Sequence, residues 1–175
     1  MNQFRVEDRN KVRRSPKNAD YDHDTVYSII DEALYCHVGF VQDGQPYVIP
    51  TNHGRKGDRV FIHGSVVSRM LKVIESGAPL SITFTLLDGL VLARSVFNHS
   101  VNYRSAVVFG TGRLLTDPDE KWAALETITE HISPGRWADA RQPSDKELAA
   151  TAVVALTSWY SPNSGSHRPS RVCPA

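Results

Sequence analysis

Residues 46–72 read PYVIPTNHGRKGDRVFIHGSVVSRMLK, and the fold turns on how this stretch is read. Residues 47–52 form a strand, Lys56-Gly57-Asp58 is a tight turn, and residues 59–63 form a second strand ending in His63-Gly64-Ser65. A helix follows, with Ser68, Arg69 and Lys72 near its start. Just upstream, Asp43-Gly44 is a hairpin turn joining residues 34–41 to residues 47–52. Three short antiparallel strands in succession predict a meander or barrel and argue against alternating βα units. The junction into the helix suits an anion, because a helix N-terminus offers free N–H groups and a partial positive charge. Arg69 adds a planar fork of donors for phosphate oxygens. Gly64 lacks a Cβ and lets a ligand come close. Two readings of Ser68 and Arg69 stay open at this point: a cofactor-phosphate site, or an exposed helix face with Arg69 paired to a carboxylate.

Outward from this stretch, Val26, Ile29, Ile30, Ala33 and Leu34 fall at helical spacing, with Asp22 or Asp24 as the cap. Residues 80–87 (LSITFTLL) predict a central strand, Asp88-Gly89 a turn, and residues 90–95 the return strand. Residues 96–104 read as irregular. Residues 106–115 (AVVFGTGRLL) predict another strand, bent or bulged at Gly110 and Gly112. A helix is expected over 119–131, a capping box at Ser144–Glu147, and a last strand over 152–156. The expected organisation is a basic arm (1–20), one β domain (21–157) and an irregular tail (158–175).

At 175 residues and 41% apolar content, the chain holds one domain with a proper core. A net charge of +1 gives no ground for a nucleic-acid partner. No apolar run approaches the roughly 18 residues of a membrane span, and the N-terminus lacks the apolar middle of a signal peptide, so the expectation is a cytoplasmic protein without a membrane partner. The arm carries Arg5, Arg9, Lys11, Arg13, Arg14 and Lys17, and reads as a solvated segment or, less simply, as a strap over an anionic ligand or partner. Cys36 and Cys173 are far apart and form no CxxC, and no histidine pair has HExxH spacing, so no metal site is expected.

His63 ends an apolar strand and reads as a structural residue, a ligand or a base; a single axial haem ligand needs no motif, which keeps His63 and His99 open for that role. Asn102-Tyr103-Arg104-Ser105 places an amide, an aromatic face, a guanidinium and a hydroxyl in four residues; it is either a ligand-contacting segment or a barrel-end loop with Arg104 in solvent. Gly110-Thr111-Gly112 lacks the third glycine and the following helix of a dinucleotide loop, and is rejected as one. Cys36 reads as a buried small residue.

The succession CHVGFV (36–41), GQPYVIPTNH (44–53), HGSVVSRM (63–70), LDGLVLARS (87–95) and NYRSAVVFG (102–110) resembles the pyridoxamine 5′-phosphate oxidase-like flavin-binding proteins, and most of all their nitroimidazole-resistance branch. The resemblance covers residues 12–156. It implies a mainly β fold with flanking helices: an antiparallel split β-barrel of six to seven strands, forming a homodimer with the cofactor at the subunit interface. The implied cofactor is FMN, with FAD or haem as alternatives. By position, Pro50, Thr51 and Asn52 would line the flavin ring edge, and His63, Gly64, Ser68 and Arg69 would surround the phosphate. Tyr103, Arg104 and Ser105 would close the cleft from the other subunit. The implied activity is that of a flavin-dependent oxidoreductase moving electrons from a reduced nicotinamide to a small-molecule substrate; the alternative is a non-catalytic flavin carrier or a haem-binding split barrel. No catalytic side chain is singled out. The substrate-phosphate residues of the oxidase itself have no match here, so oxidation of pyridoxamine phosphate is not expected. The tail also departs from the family, being basic and Ser/Pro-rich where relatives are acidic and end in a Trp-containing strand.

Overall fold

A computed structural model describes residues 3–156 and the backbone of Asn163–Ser164. In chain order the elements are β1 (Ala19–Asp20), α1 (His23–Glu32), β2 (Cys36–Gln42), β3 (Gln45–Thr51), β4 (Gly54–Lys56), β5 (Arg59–Ser65), α2 (Arg69–Glu75), β6 (Leu80–Val91), β7 (Ser100–Gly110) and β8 (Gly112–Leu114). They continue with α3 (Pro118–Ile132), α4 (Arg136–Asp139), α5 (Asp145–Ala150), β9 (Thr151–Leu156) and β10 (Asn163–Ser164). The strands make two antiparallel sheets, ordered β1-β10-β7-β6-β2-β3 and β4-β5-β9-β8. The architecture is mainly β with flanking helices, a split barrel.

The chain passes between sheets at two places. After β3, Asn52 and His53 carry it across to β4. After β7, Thr111 carries it into β8, at the Gly110-Thr111-Gly112 bend where the sequence predicts a kink. Gly112 is required there: a Cβ would stand 2.2 Å from Ile74 Cγ2 of α2. Gly54 plays the same part for α3, whose backbone at Thr127 and Ile128 would lie 2.8 Å from a Cβ.

Strand alternation sorts two cores. Val60 and Ile62 of β5 face the barrel interior with Val38, Phe40, Ile82, Phe84 and Val108. Phe61 faces the other way, under α3, with Leu115, Ala124, Ile128, Val153 and Ala155. β9 is buried on both faces, which explains its unbroken apolar run AVVAL. Asp43 and Gly44 both have positive φ (51° and 73°), the backbone a tight two-residue hairpin requires. Asp22 caps α1, its carboxylate accepting from Asp24 N at 3.0 Å.

Three expectations are corrected. Asp88-Gly89 does not turn the chain: β6 runs through it to Val91, with a register shift between Leu87 and Gly89 absorbing the irregularity. β7 accordingly begins at Ser100, inside the segment expected to be irregular. The basic arm is anchored where a solvated segment was expected. Phe4 is buried in the main core and stacks on His23 at 3.9 Å, and Phe4 N donates to Tyr21 O at 2.8 Å. Asn10, 1% exposed, accepts from Glu7 N (2.6 Å) and donates to Arg5 O (2.9 Å). Within the tail, Asn163–Ser164 forms a strand between β1 and β7 and covers the β7 edge; the rest of the expected irregular tail lies outside the described residues. No helix among the described residues is long and apolar enough to cross a membrane.

Candidate functional site

Arg69 opens α2, and its guanidinium lies over the Tyr47 ring at 4.9 Å. Tyr47 is in turn stacked on Phe40 across the β2–β3 hairpin, with centroids 5.3 Å apart. Arg69 and Lys72, one turn apart, face a cavity of about 430 Å³ completed by Gln42, Val67, Val73 and Ser76. Neither cation pairs with a carboxylate among the described residues. Gln42 Oε1 is buried there without a hydrogen-bond partner. Ser68 holds the N-cap position of α2, and its hydroxyl makes no capping bond. This cluster offers two positive charges and a hydroxyl, which suit a phosphate ester; the Gln42 amide oxygen is an acceptor and takes no part in holding an anion.

Pro50 and Thr51 sit on the same β3 strand as Tyr47, three and four residues along, and Asn52 follows where the chain leaves the sheet. Among the described residues β3 is an edge of its sheet, and backbone groups on its outer side have no strand partner there. A flat ring with donors and acceptors on its rim could read such an edge.

Other residues expected at the site stand apart from Arg69. The His63 side chain follows Phe61 to the opposite face of β5 and lines a separate cavity of about 350 Å³ with Leu125, Thr129, Trp137, Arg141, Glu147 and Leu148. Its Nδ1 is buried without a partner, and burial pushes its pKa down, so the ring is a neutral imidazole. Gly64 packs under α2: a Cβ would meet Leu71 Cδ1 at 3.2 Å, so its small size serves the helix contact first. Arg104 is fully engaged: it donates to Glu32 at 2.7 and 2.8 Å and to Asp88 at 2.9 Å. Those bonds raise its pKa and lower that of Glu32. Arg104 thus ties α1 to the β6–β7 hairpin and is not the free cation that the four-residue segment suggested. Tyr103 pairs with Leu87 and Ser105 with Thr85; by register both are on β7, three strands from Pro50.

Two further histidines are structural. His53 is fully buried and meets the Ile30 carbonyl at 2.9 Å. His99 meets the Ala93 carbonyl at 2.9 Å in an exposed segment. The Cys36 thiol is buried and pushed up to about 12, an unreactive group. Among the described residues no three His, Cys, Asp or Glu side chains cluster to hold a metal ion. Sequence reasoning placed Lys72 beside Arg69 from spacing alone. Gln42 gave no sequence signal, because its approach to α2 depends on the hairpin's tertiary position.

A family profile described as pyridoxamine 5′-phosphate oxidase matches residues 22–160. Among solved structures, the flavocytochrome Anf3 from Azotobacter vinelandii is similar at 37% identity and a TM-score of 0.85, covering 93% of this chain and 76% of that one. An FAD and haem binding protein from Mycobacterium smegmatis is 37% identical, with a TM-score of 0.81 and coverage of 86% and 74%. A Bacteroides thetaiotaomicron protein described as a 5-nitroimidazole antibiotic resistance protein is 26% identical, with a TM-score of 0.70 and coverage of 83% and 84%. No curated protein sequence matches the chain.

Proposed function

Because the chain belongs to the pyridoxamine 5′-phosphate oxidase family of flavin-binding split barrels, we propose that it is a cytoplasmic flavin-dependent oxidoreductase working between a reduced nicotinamide and a small acceptor. The observation that carries this reading is the cavity at Arg69 and Lys72, two cations that pair with no carboxylate among the described residues, with Arg69 lying over Tyr47 of the edge strand β3. A flavin phosphate answers the charge, and Ser68 supplies a further donor. The ring then lies along Pro50, Thr51 and Asn52, whose backbone can hydrogen-bond its polar rim. A bound flavin supplies the electron-transfer chemistry; the protein positions it and keeps water from the acceptor. No general acid or base is needed for that division of labour. Under anaerobic conditions the flavin-loaded protein bleaches on addition of NADH or NADPH. A protein that takes up neither FMN nor FAD sinks the reading, and bound flavin that no nicotinamide reduces turns it toward a carrier.

The reading includes a homodimer. Leu87, Leu90, Leu92, Val96 and Phe97 are 66–94% exposed along one hairpin, more apolar surface in one place than a monomer ordinarily leaves in water. A second copy covers it and brings Tyr103 towards the first copy's cleft, while Ser105 is buried within its own chain. Phe97→Asp with Leu90→Asp is expected to halve the sedimenting mass and to release flavin in the same preparation. A double variant that stays dimeric removes this part of the reading.

A second cofactor is favoured by His63, an imidazole whose Nδ1 is buried without a partner, in a cavity lined in part by Leu125, Trp137 and Leu148. A neutral imidazole is the ligating form, and Trp137 with the leucines gives a flat macrocycle an apolar contact, while Arg141, which donates to Glu147 at 2.8 and 3.1 Å, would have to leave that partner to meet a haem carboxylate. The relatives from A. vinelandii and M. smegmatis, a flavocytochrome and an FAD and haem binding protein, point the same way. Haem titration is expected to give an intense Soret band that His63→Ala abolishes and His99→Ala leaves, since His99 is committed to Ala93 in solvent. A band that is indifferent to His63→Ala removes the haem site from this cavity.

A further inference from the structure

The basic arm is ordered by residues other than its cations. Phe4 is buried in the main core. Asn10, 1% exposed, holds a turn: its Oδ1 accepts from Glu7 N at 2.6 Å, its Nδ2 donates to Arg5 O at 2.9 Å, and its N donates to Glu7 O at 3.1 Å. The Tyr21 hydroxyl accepts from Val12 N at 3.0 Å and donates to Asn10 O at 3.3 Å. Arg5, Arg9, Lys11, Arg13, Arg14 and Lys17 therefore stand exposed on a fixed backbone. Glu7 and Asp8 are the acids between them, and their pairs with Arg5, Arg9 and Arg13 are 3.7–3.8 Å long. Lys11, Arg14 and Lys17 pair with no carboxylate among the described residues. Like charges held together repel, and an anionic surface laid against them relieves the repulsion.

The side chains around the cations indicate which kind of anion fits. Residues 5–17 contain no aromatic ring on which a base could stack, and no amphipathic helix to lie in a membrane; the helical turn here, Pro16–Asn18, is three residues long. Four of the six cations are arginines, whose planar forks match carboxylates. Val6 is 49% exposed among them, an apolar contact inside a charged rim, as at a protein–protein interface. The patch continues onto the sheet. Arg9 lines a cleft of about 380 Å³ with Val41, Pro46, Tyr47, Val48 and Phe109, and Val41 and Val48 are 58% and 67% exposed. The Tyr47 ring in this cleft carries the Arg69 guanidinium, so the patch ends beside the candidate flavin site.

We propose that the arm and this cleft form the docking face for an acidic electron-carrier protein, a second electron donor beside the reduced nicotinamide. The proposal rests on the flavin reading above. Two encounters with a reduced one-electron carrier deliver two electrons, two protons come from water, and the carrier leaves oxidised. The arm's part is to hold the carrier's carboxylates, and Val6, Val41 and Val48 give its apolar centre a contact.

The probe is an acidic [2Fe–2S] ferredoxin, and the flavin content of the protein is measured first by absorbance. Binding of oxidised ferredoxin is followed by calorimetry, and flavin reduction by reduced ferredoxin in stopped flow. Wild type is compared with a variant carrying Arg5→Gln, Lys11→Gln, Arg13→Gln, Arg14→Gln and Lys17→Gln. These five side chains are exposed, so their substitution does not endanger folding. Wild type is expected to bind, and to lose about tenfold in affinity between about 20 and about 300 mM salt. The variant loses about tenfold at low salt together with most of the salt dependence, while its reduction by dithionite stays within about twofold of wild type. Val6→Ser weakens binding about threefold and leaves the salt dependence as it was. A flavin-loaded wild type that does not bind ferredoxin, or a variant that binds it equally well, overturns the proposal. So does tighter binding of duplex DNA or of phosphatidylglycerol vesicles than of ferredoxin at the same salt. A protein that holds no flavin overturns the flavin reading itself, whatever its affinity for ferredoxin.

Discussion

Arg69→Ala is expected to weaken FMN or FAD binding by about ten- to hundredfold and to leave riboflavin binding within twofold. The reasoning starts from the bond type. A hydrogen bond to a charged group contributes about 1.5–3 kcal/mol net, and each 1.4 kcal/mol is a factor of ten in affinity. Arg69 is exposed, so water screens part of that, and the lower half of the range is the better expectation. Its position over Tyr47 limits the directions its fork can face, which reduces the entropy lost when a phosphate arrives. Arg69→Lys separates charge from geometry. It keeps the charge and loses the bidentate fork and the ring contact, and is expected to fall between wild type and Arg69→Ala. Raising the salt concentration should weaken phosphate-bearing flavins in the wild type and change little in Arg69→Ala. The riboflavin control decides the matter: if Arg69→Ala weakens riboflavin as much as FMN, Arg69 supports the hairpin through Tyr47 and does not touch phosphate.

The contrast between Arg69 and Arg104 shows where sequence reading reaches and where it stops. Arg69 was legible because its setting is local: a strand end, a glycine, a serine and a helix start within seven residues. Arg104 looked equally well placed, but its carboxylate partners are 16 and 72 residues away, and no local pattern announces them. His63 sits between these cases. Strand alternation puts it on the face of Phe61, but which face of β5 meets the barrel and which meets α3 is fixed only once α3 packs on Gly54. The hairpin at Asp43-Gly44 and the bend at Gly110-Gly112 were readable because each depends on backbone freedom at one or two residues. Asp88-Gly89 has the same local chemistry and does not turn, because pairing along the length of β7 outweighs a turn preference and a register shift accommodates it. The arm and β10 were missed for a related reason. Both are short pieces without periodicity, held by contacts across the fold: Phe4 in the core, Tyr21 over residues 10–12, and Asn163–Ser164 between β1 and β7.

Stability is expected to fall by up to about 3 kcal/mol through His53 as pH drops from 6.5 to 4, and His63, lowered by burial in the same way, adds to the loss. Its Nε2 faces a carbonyl, which can only accept, so Nε2 carries the proton and Nδ1 is the bare nitrogen. Nδ1 is buried with no partner, and a proton added there would create a charge with nothing to receive its hydrogen bond. Burial is the main reason that His53 is pushed down to about 4; the Ile30 carbonyl and Asp31 oppose the shift, and His131, with ring centroids 4.5 Å apart, adds to it. Phe84 of β6 closes the remaining side with an edge contact at 4.7 Å and offers no counter-charge. The direction follows from proton counting. Between the unfolded value near 6.5 and the folded value near 4, the unfolded chain binds a proton that the folded one refuses. Stability contributed by neutral His53 is therefore fully present above pH 6.5 and is lost as pH falls, at about 1.4 kcal/mol per unit. Glu32, Glu130 and Glu147, whose pKa values are lowered, add a loss of the same sign only once the unfolded chain's carboxylates begin to protonate, below about pH 5, so the slope above that belongs to the buried histidines. Urea unfolding at half-unit steps from pH 7.5 to 4.5 measures the slope. His53→Gln keeps a donor for Ile30 and cannot titrate at this position, so its slope should be clearly shallower than the wild type's, the remainder belonging to His63, which burial also lowers. A wild-type slope no steeper than that of His53→Gln would mean that His53 takes up its proton in the folded state, with water or a shift of His131 providing what Nδ1 lacks.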